Sequence, residues 1–349
     1  MSKAAELAAL IGSQTALSNR NIVINGAMQV AQRATSASAK SSAGFHVVDR
    51  FKFVNNTSTG AVDIEQSTTV PAGQGFGSSL KVSTSTAKAT LTGTNEFGIQ
   101  QRIEGRNLQV LNHGTSSASK ATLSFWVRSN KTGTYVVWFY KEGSNRNIQR
   151  QFTISSADTW EKKALTIDGD TSGSIANDSS NELEFFIVLG TGPDRSSGTA
   201  PTTWQTLDNA DRYVGQTVNI LDSTSNNFYL TGVQLEVGEQ ATPFEHRSFG
   251  DELARCQRYY WQTNRLDFGP SLGSGNVGNF RQFINFPTEM REAPTVTVGT
   301  FASESGSFTP SVASISTRVL HHSFEVGTSS QANARVRGDN PAFKYSAEL

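Results

Sequence analysis

Two glutamates that stand two positions apart carry the side chains that glycosidases use in pairs. Glu182 and Glu184 lie in the run "NELEFFIVLG", and two carboxyl groups that flank a glycosidic bond can protonate the leaving group and activate a nucleophile. The run is predicted to form a strand, in which residues i and i+2 share a face. Leu183 and Phe185 alternate with the glutamates. We therefore expect the glutamate face to be solvated rather than catalytic.

Histidines and one acidic loop are the candidate metal ligands. His321 and His322 are adjacent in a predicted strand, which directs them to opposite faces, so that they cannot easily bind one ion together. The segment "DGDTSG", residues 168 to 173, imitates the start of a calcium loop, but its twelfth position is Ser179 where a bidentate glutamate is needed. The sequence also has no nucleophile elbow and no phosphate-binding loop. We predict no enzyme, no metal site and no cofactor.

What remains is an aromatic surface on two predicted strands, "TLSFWVRS" and "YVVWFYK". Side chains alternate between the two faces of a strand, and one face of each is expected to belong to a core. The expected core faces are Leu123, Phe125 and Val127 on the first strand, and Tyr135, Val137 and Phe139 on the second. The opposite faces carry Ser124, Trp126 and Arg128, and Val136, Trp138 and Tyr140.

Exposed aromatic rings beside polar side chains are typical of glycan-binding surfaces, because sugar rings stack their apolar C–H faces on indole and phenol rings. We predict a glycan platform, with Trp204 in a threonine-rich loop as a further candidate. The platform consists of Trp126, Arg128, Trp138, Tyr140 and Glu184. The aromatic residues could instead fill a sheet contact or an interface between subunits, where Trp and Tyr are enriched. The sequence leaves both interpretations open.

The elements that must position these residues are short strands. From Asn21 to about Phe244, short apolar or alternating stretches are separated by clusters of Gly, Ser, Asn and Asp. Each strand's apolar face needs a second sheet to cover it, which favours a β-sandwich. We predict an all-β protein with a jelly-roll β-sandwich over residues 21 to 247.

Three further segments flank this domain. Residues 1 to 20 are rich in strong helix formers and are predicted to form a short docking or trimerising helix. Residues 248 to 261 are predicted to form a short helical joint, whose Leu253 and Tyr260 are expected to be buried between two β-domains. Residues 262 to 349 are predicted to form a smaller C-terminal β-sandwich.

The composition of the chain argues against nucleic acid and membranes as partners. Among the 349 residues, 30 Lys and Arg balance 30 Asp and Glu, so no net charge steers the chain to nucleic acid or to an anionic membrane. The longest apolar runs are far shorter than the roughly 20 residues that span a bilayer, and no signal-peptide pattern opens the chain. The lone Cys256 allows no internal disulfide. We expect no membrane insertion, synthesis in the cytosol, and stability from packing or assembly.

Several motifs in order resemble one family. They are "NIVINGAMQVAQR" and "VVDRF", "LSFWVRSNKTGTYVVWFY", "GDTSG" and "TTW", and "GVQLEVG…ATPFEHRSFGDELARCQRYY". Over about residues 20 to 262 this set resembles the carbohydrate-binding-module-like jelly roll of tailed-phage fibre and virion structural proteins. Phe51 is a departure, since many relatives have Trp after "DR". "FINFPTEMREAPTV" resembles the start of the small β-domain that often follows.

The resemblance implies a non-catalytic virion component, commonly a homotrimer, that contacts host-surface glycans. We expect a tail fibre or receptor-binding protein, made in the host cytoplasm and attached to other virion proteins through the N-terminal helix. The alternative within this class is a capsid-attached head fibre or decoration protein. An alternative from another class is a glycan-degrading enzyme or its binding module.

Overall fold

The structure, a computed structural model, describes residues 19–263, 267–268, 279–299, 301–303, 308–326, 336–338 and 341–349. The helix predicted over residues 1 to 20 lies almost entirely outside the described residues. The chain divides into two compact units, and the division falls after Glu252. Each unit is described separately below.

The part of unit 1 that the structure describes contains twelve strands. They are β1 (Ser36–Lys40), β2 (Lys52–Asn55), β3 (Ala61–Ser67), β4 (Ser79–Thr86), β5 (Glu96–Glu104), β6 (Ala121–Ser129), β7 (Gly133–Lys141), β8 (Arg146–Ile154), β9 (Glu161–Ile167), β10 (Asn181–Thr191), β11 (Gln205–Thr206) and β12 (Asn227–Val237). Short 3₁₀ turns interrupt the connections at Gly105–Asn107, Gln109–Leu111, Pro193–Arg195, Asn209–Asp211 and Ile220–Asp222.

The strands form two six-stranded antiparallel sheets. Sheet I has the order β1-β3-β4-β12-β6-β9, and sheet II has the order β11-β8-β7-β10-β5-β2. One large apolar core contains residues of both sheets, as burial of one face of each sheet requires. The predicted all-β jelly-roll fold is thereby confirmed.

Alternation along β6 and β7 decides which aromatic residues enter this core. Phe125 of β6 and Phe139 of β7 are fully buried in it, together with Leu123, Val127 and Val137. Trp126 and Trp138 therefore lie on the outer faces of sheet I and sheet II, because successive side chains of a strand point to opposite faces. The split between the two faces is the one expected from the sequence.

The ends of unit 1 are joined by hydrogen bonds between the motifs that carry the family resemblance. The backbone N–H of Asn25 donates to Glu252 Oε1 over 2.5 Å, and the Asn25 amide donates to the Asp49 carbonyl over 2.9 Å. Arg247 donates to the carbonyl of Val23 over 3.0 Å. These motifs thus hold the first residues of the sandwich against the segment that follows β12.

One helix, α1 (Phe249–Gln257), follows the sandwich. Asp251 and Glu252 lie in its first turn, where the helix dipole favours negative charge. The helix is shorter than the predicted joint, because Tyr260 already belongs to a strand and the aromatic run that it opens favours strand geometry. Within the described residues, no helix combines the length and the apolar character that crossing a membrane requires.

The described residues of unit 2 form nine strands in three antiparallel sheets of three strands each, with the orders β13-β21-β16, β14-β20-β17 and β15-β19-β18. The strands are β13 (Tyr260–Gln262), β14 (Asp267–Phe268), β15 (Asn279–Asn285), β16 (Thr295–Val298), β17 (Phe301–Ser303), β18 (Phe308–Ile315), β19 (Val319–Val326), β20 (Val336–Gly338) and β21 (Phe343–Ser346). A small apolar cluster forms around the first sheet, where Phe286 packs edge-on against Tyr345.

Candidate functional site

The two glutamates that suggested a glycosidase lie on β10, and Glu184 is engaged in an ion pair. Its carboxylate accepts a hydrogen bond from Arg102 Nε over 2.9 Å, and the residue is 5% exposed. Burial raises the pKa of Glu184, an effect that Arg102 partly offsets. Burial also raises the pKa of Glu182. The sequence analysis predicted that the two glutamates are solvated, but both are buried.

The segment that resembles a calcium loop holds side-chain cations instead. Asp170 accepts hydrogen bonds from Lys141 Nζ over 2.6 Å and from Arg146 Nε over 2.8 Å. Burial opposes ionisation of Asp170, but these hydrogen bonds outweigh it and lower the pKa of Asp170 to about 2. Lys141 also donates to the Gly173 carbonyl over 2.5 Å. Across the described part of the chain, no group of three His, Cys, Asp or Glu residues is placed to hold a metal ion.

The five residues of the predicted platform and the further candidate Trp204 do not form one surface. Trp126 and Arg128 lie on β6 in sheet I, whereas Trp138, Tyr140 and Glu184 lie on β7 and β10 in sheet II. Trp204 is buried in the core between the sheets, and its indole N–H donates to the Asp168 carbonyl over 2.6 Å. The two sheets present their outer faces in opposite directions, so the single platform has to be replaced by two separate aromatic faces.

The aromatic face of sheet II is covered by unit 1 itself. Trp138 is 1% exposed, stacks on Tyr140 at 4.9 Å, and donates its indole N–H to Asn147 over 3.0 Å. The Arg212 guanidinium lies 4.2 Å from the centroid of the Trp138 ring, and Tyr213 packs edge-on against the same ring at 5.9 Å. The segment after β11 therefore occupies the face on which a sugar would stack.

The outer face of sheet I carries an open groove of about 500 Å³, called the sheet I groove below. Trp126 contributes one wall from β6. The groove is lined by Gly73, Gln74, Phe76, Ser124, Trp126, Lys162, Gly232, Ala241, Pro243, Phe244 and His246. These residues come from the loop before β4, from β6, β9 and β12, and from the segment after β12.

Three rings form the opposite wall. Phe76 and Phe244 meet edge to face at 5.1 Å, and His246 lies 5.3 Å from Phe76 and 4.9 Å from Phe244. Edge-to-face packing at these distances is a favourable arrangement of aromatic rings.

Gly232 makes room for both walls. Its φ is +62°, in the left-handed region that favours glycine, at an irregularity in the pairing of β12 with β6. A Cβ at this position would lie 2.6 Å from Phe76 Cζ and 3.1 Å from Trp126 Cδ1. The floor of the groove therefore requires a residue without a side chain.

Arg128 lies on the same face as Trp126 but does not line the groove. Its guanidinium forms an ion pair with Asp158 over 3.2 Å and lies 5.2 Å from the ring centroid of Tyr229. Of the six residues predicted from the sequence, Trp126 alone belongs to the groove.

Sequence reasoning missed most of the lining residues of the groove. Phe244 and His246 stand two positions apart in "PFEHR", and this alternation with Glu245 between them was a usable signal for one exposed aromatic face. Phe76 lies in a glycine-rich loop, "AGQGFG", where no periodicity indicates which way a side chain points.

No protein-family model matches the chain, and no curated protein matches its sequence. Among solved structures, the enzymatically active domain of tailspike protein 4 of bacteriophage CBA120 aligns with 63% of this chain at 11% identity and a TM-score of 0.32. The chain spans 22% of the length of that tailspike structure.

Two carbohydrate-binding modules are also similar. TmCBM61, solved in complex with β-1,4-galactotriose, is aligned over its full length with 63% of this chain, at 7% identity and a TM-score of 0.31. The family 11 module of the cellulosomal cellulase Lic26A-Cel5E of Clostridium thermocellum is aligned over 98% of its length with 59% of this chain, at 11% identity and a TM-score of 0.30.

Proposed function

We propose that this protein is a non-catalytic carbohydrate-binding protein and that the sheet I groove is its glycan site. The observation that carries the proposal is the open groove between Trp126 on one side and the Phe76, Phe244 and His246 rings on the other. Its volume of about 500 Å³ lies in the range of small-ligand sites, about 300–1,000 Å³. A sugar ring can enter such a groove with its apolar face on a ring.

The polar groups of the groove suit the rest of a sugar. Gln74 and His246 are exposed at its rim, and Ser124 lies at its base beside Trp126. An amide, an imidazole and a hydroxyl group can donate hydrogen bonds to sugar hydroxyls and accept bonds from them. Rings that supply contact area together with a few polar groups that fix orientation are typical of a binding site.

The test is a comparison of matched tryptophan variants. Trp126→Ala should weaken glycan binding about tenfold, because stacking and the exclusion of water by the indole are lost. Trp160→Ala is the control, since Trp160 is half-buried against Tyr229 and does not line the groove. Binding is measured on a glycan array and by affinity electrophoresis. Equal binding by the parent and Trp126→Ala would remove the groove as the glycan site.

The absence of catalysis is part of the proposal. Glu184 is held by Arg102 and Glu182 is buried beside it along β10, and neither lines the sheet I groove. We expect no release of reducing ends when the protein is incubated with polysaccharides that it binds. Measurable release that is lost in Glu184→Gln would make the protein a glycan-degrading enzyme.

The finer proposal is a phage virion component, and it rests on the resemblance of the sequence motifs. The protein is proposed to be a homotrimeric tail fibre or receptor-binding component, with residues 1 to 20 attaching it to other virion proteins. A capsid-attached head fibre or decoration protein is the alternative. Antibody labelling of intact particles separates the two, and light scattering of the purified full chain tests the trimer. A stable monomer would contradict the trimer.

A further inference from the structure

The sheet I groove has an uneven charge. Its lining includes the ammonium group of Lys162, the imidazole of His246 and the amide of Gln74. None of the described residues that line it is Asp or Glu. A site with a cation and without a carboxylate attracts anionic ligands, although the whole chain has as many basic as acidic residues.

Lys162 is positioned beside the stacking surface. It lies on β9 directly opposite Trp126 of β6 in the antiparallel ladder. Residues directly opposite each other on one face have Cβ atoms about 4.5–5.5 Å apart. The ammonium group can therefore reach a substituent of a sugar ring that stacks on the indole.

Among the described residues, Lys162 differs from two other lysines of sheet I in having no anionic partner. Lys163, the next residue, is bound to Glu161 over 2.5 Å, and Lys81 is bound to Glu65 over 3.2 Å. Lys162 is exposed and forms no ion pair with any residue that the structure describes. Its charge is directed to the groove and not used to hold the sheet together.

Two carboxylates in the segments that line the groove are engaged by other groups. Glu245 stands between Phe244 and His246, but its carboxylate accepts hydrogen bonds from the backbone N–H groups of Asn19 at 2.5 Å and Asn21 at 2.7 Å. The carboxylate of Glu236 accepts a hydrogen bond from the hydroxyl of Thr242 over 2.6 Å. Alternation thus places the rings of Phe244 and His246 in the groove and the carboxylate of Glu245 outside it.

We propose that the sheet I groove selects acidic glycans, in which a carboxylate on the sugar binds Lys162 while the ring stacks on Trp126. The proposal rests on the proposed carbohydrate-binding function and names its ligand class. A charge-assisted hydrogen bond is stronger than a neutral one and is sensitive to salt when it is exposed. Selection for acidic sugars follows because a neutral sugar gains the stacking without the ion pair.

The test uses the parent, Trp126→Ala and three lysine variants on an array that carries polyuronates, sialylated glycans, sulfated glycans, and neutral galactans, glucans and xylans. Lys162→Gln should weaken binding to acidic glycans about three- to tenfold, because an ion pair made by an exposed lysine is weakened by water and salt. Lys162→Arg should retain most of the binding. Lys163→Gln is the matched control and should bind like the parent, since Lys163 is engaged with Glu161. Thermal melts verify that all variants fold.

The outcomes separate this inference from the function on which it rests. Binding to acidic glycans that falls with Lys162→Gln and with added salt supports both. Binding to neutral glycans that needs Trp126 but tolerates Lys162→Gln overturns the acidic selectivity and leaves the groove as a glycan site. Sulfated glycans bound in place of carboxylated ones overturn the carboxylate assignment. If nothing on the array is bound, or if neither Trp126 nor Lys162 affects binding, the groove has no glycan function.

Discussion

The outer faces of the two sheets have the same sequence pattern but differ in accessibility. Trp126 of β6 and Trp138 of β7 each alternate with core phenylalanines, yet Trp126 borders an open groove and Trp138 is 1% exposed. The difference comes from distant segments. Arg212 and Tyr213 pack on Trp138, whereas the segment that contains Phe244 lines an open groove together with Trp126. Alternation therefore indicates which face a side chain is on, and tertiary packing decides whether that face is accessible.

Charge follows the same division. On sheet II, the acidic groups have partners: Glu184 is paired with Arg102, and Glu96 accepts a hydrogen bond from Tyr213 over 2.7 Å. On sheet I, Lys162 is the cation of the groove and has no described anionic partner. A face whose charges are internally neutralised is built for stability, and one with an unneutralised charge is available to a ligand.

The largest effect that can break this comparison is a pair of tryptophan deletions. Trp138→Ala should lower the free energy of unfolding by about 3–5 kcal/mol, the usual cost of removing a buried large aromatic side chain. Trp126→Ala should lower it less, by about 1–2 kcal/mol, because the indole is only partly buried. Chemical denaturation of both variants measures the difference. Equal losses would mean that the two faces are equally buried and that the groove is part of the core.

His113 makes stability depend on pH. His113 is buried and packs edge-on against Trp204, while His246 lies in the groove. Burial, reinforced by the charge of Lys141, lowers the pKa of His113 from 6.5 to about 4. The unfolded chain therefore binds a proton at this histidine more readily than the folded protein does. The contribution is complete above pH 6.5 and is lost as the pH falls to about 4, by at most about 3 kcal/mol.

His113→Gln isolates this contribution. The free energy of unfolding of the parent should fall relative to that of the variant by about 3 kcal/mol between neutral pH and pH 4. Other groups titrate in the same interval, and taking the difference between the two proteins removes their common effect. Denaturant titrations at several pH values give the two curves. Parallel curves would show that His113 takes up its proton in the folded protein as readily as in the unfolded chain.

Gly232→Ala tests the open face with a smaller change. The added Cβ meets Phe76 and Trp126 at a positive φ, so we expect a loss of about 1–3 kcal/mol together with the loss of glycan binding. Gly77→Ala is the matched control, because a Cβ there has no atom within 4 Å. Differential scanning calorimetry and the glycan array measure the two effects. Normal binding by a folded Gly232→Ala protein would show that the floor of the groove is not part of the site.

Much of the fold was predictable because it depends on local patterns. Short strands separated by turn residues predicted the sandwich, and the alternation in "LSFWVRS" separated core from outer side chains. The helix α1 ends at Gln257, before the predicted end of the joint at residue 261. The aromatic segment "YYWQ" that follows contains β13 and favours a strand over a helix. The domain boundaries and the N-terminal helix remain predictions.

The site was less predictable because its residues come from five separate segments. Trp126 was identified from alternation, but Phe76, Lys162 and Phe244 join it through pairing of β6 with β9 and through the return of the chain after β12. A single sequence does not state which strands pair. Trp138 and Trp204 are buried, and glycan binding by the six predicted residues stays a prediction.

The motifs of the family resemblance contribute to both the frame and the groove. Asn25 is hydrogen-bonded to Asp49 and Glu252, and Arg247 forms an ion pair with Glu252. The groove takes Trp126 from "LSFWVRS", Gly232 from "GVQLEVG" and Phe244 from "ATPFEHR". The same motifs therefore specify the sandwich and supply part of the proposed site.

The smallest expected effect concerns the cover of sheet II. Arg212→Ala removes the guanidinium that lies 4.2 Å from the Trp138 ring centroid and its ion pair with Glu96 at 3.7 Å. A cation–π contact in a partly desolvated place is worth about 1–2 kcal/mol, so the free energy of unfolding should fall by about that amount. Arg212→Lys, which keeps the charge but loses the planar stacking, should fall between the parent and Arg212→Ala. Because Tyr213 still packs on Trp138, we expect no new glycan binding on the array. New binding by Arg212→Ala that is abolished by Trp138→Phe in the same chain would mean that sheet II carries a second glycan surface held closed by its own arginine, and the two faces would then differ in gating rather than in kind.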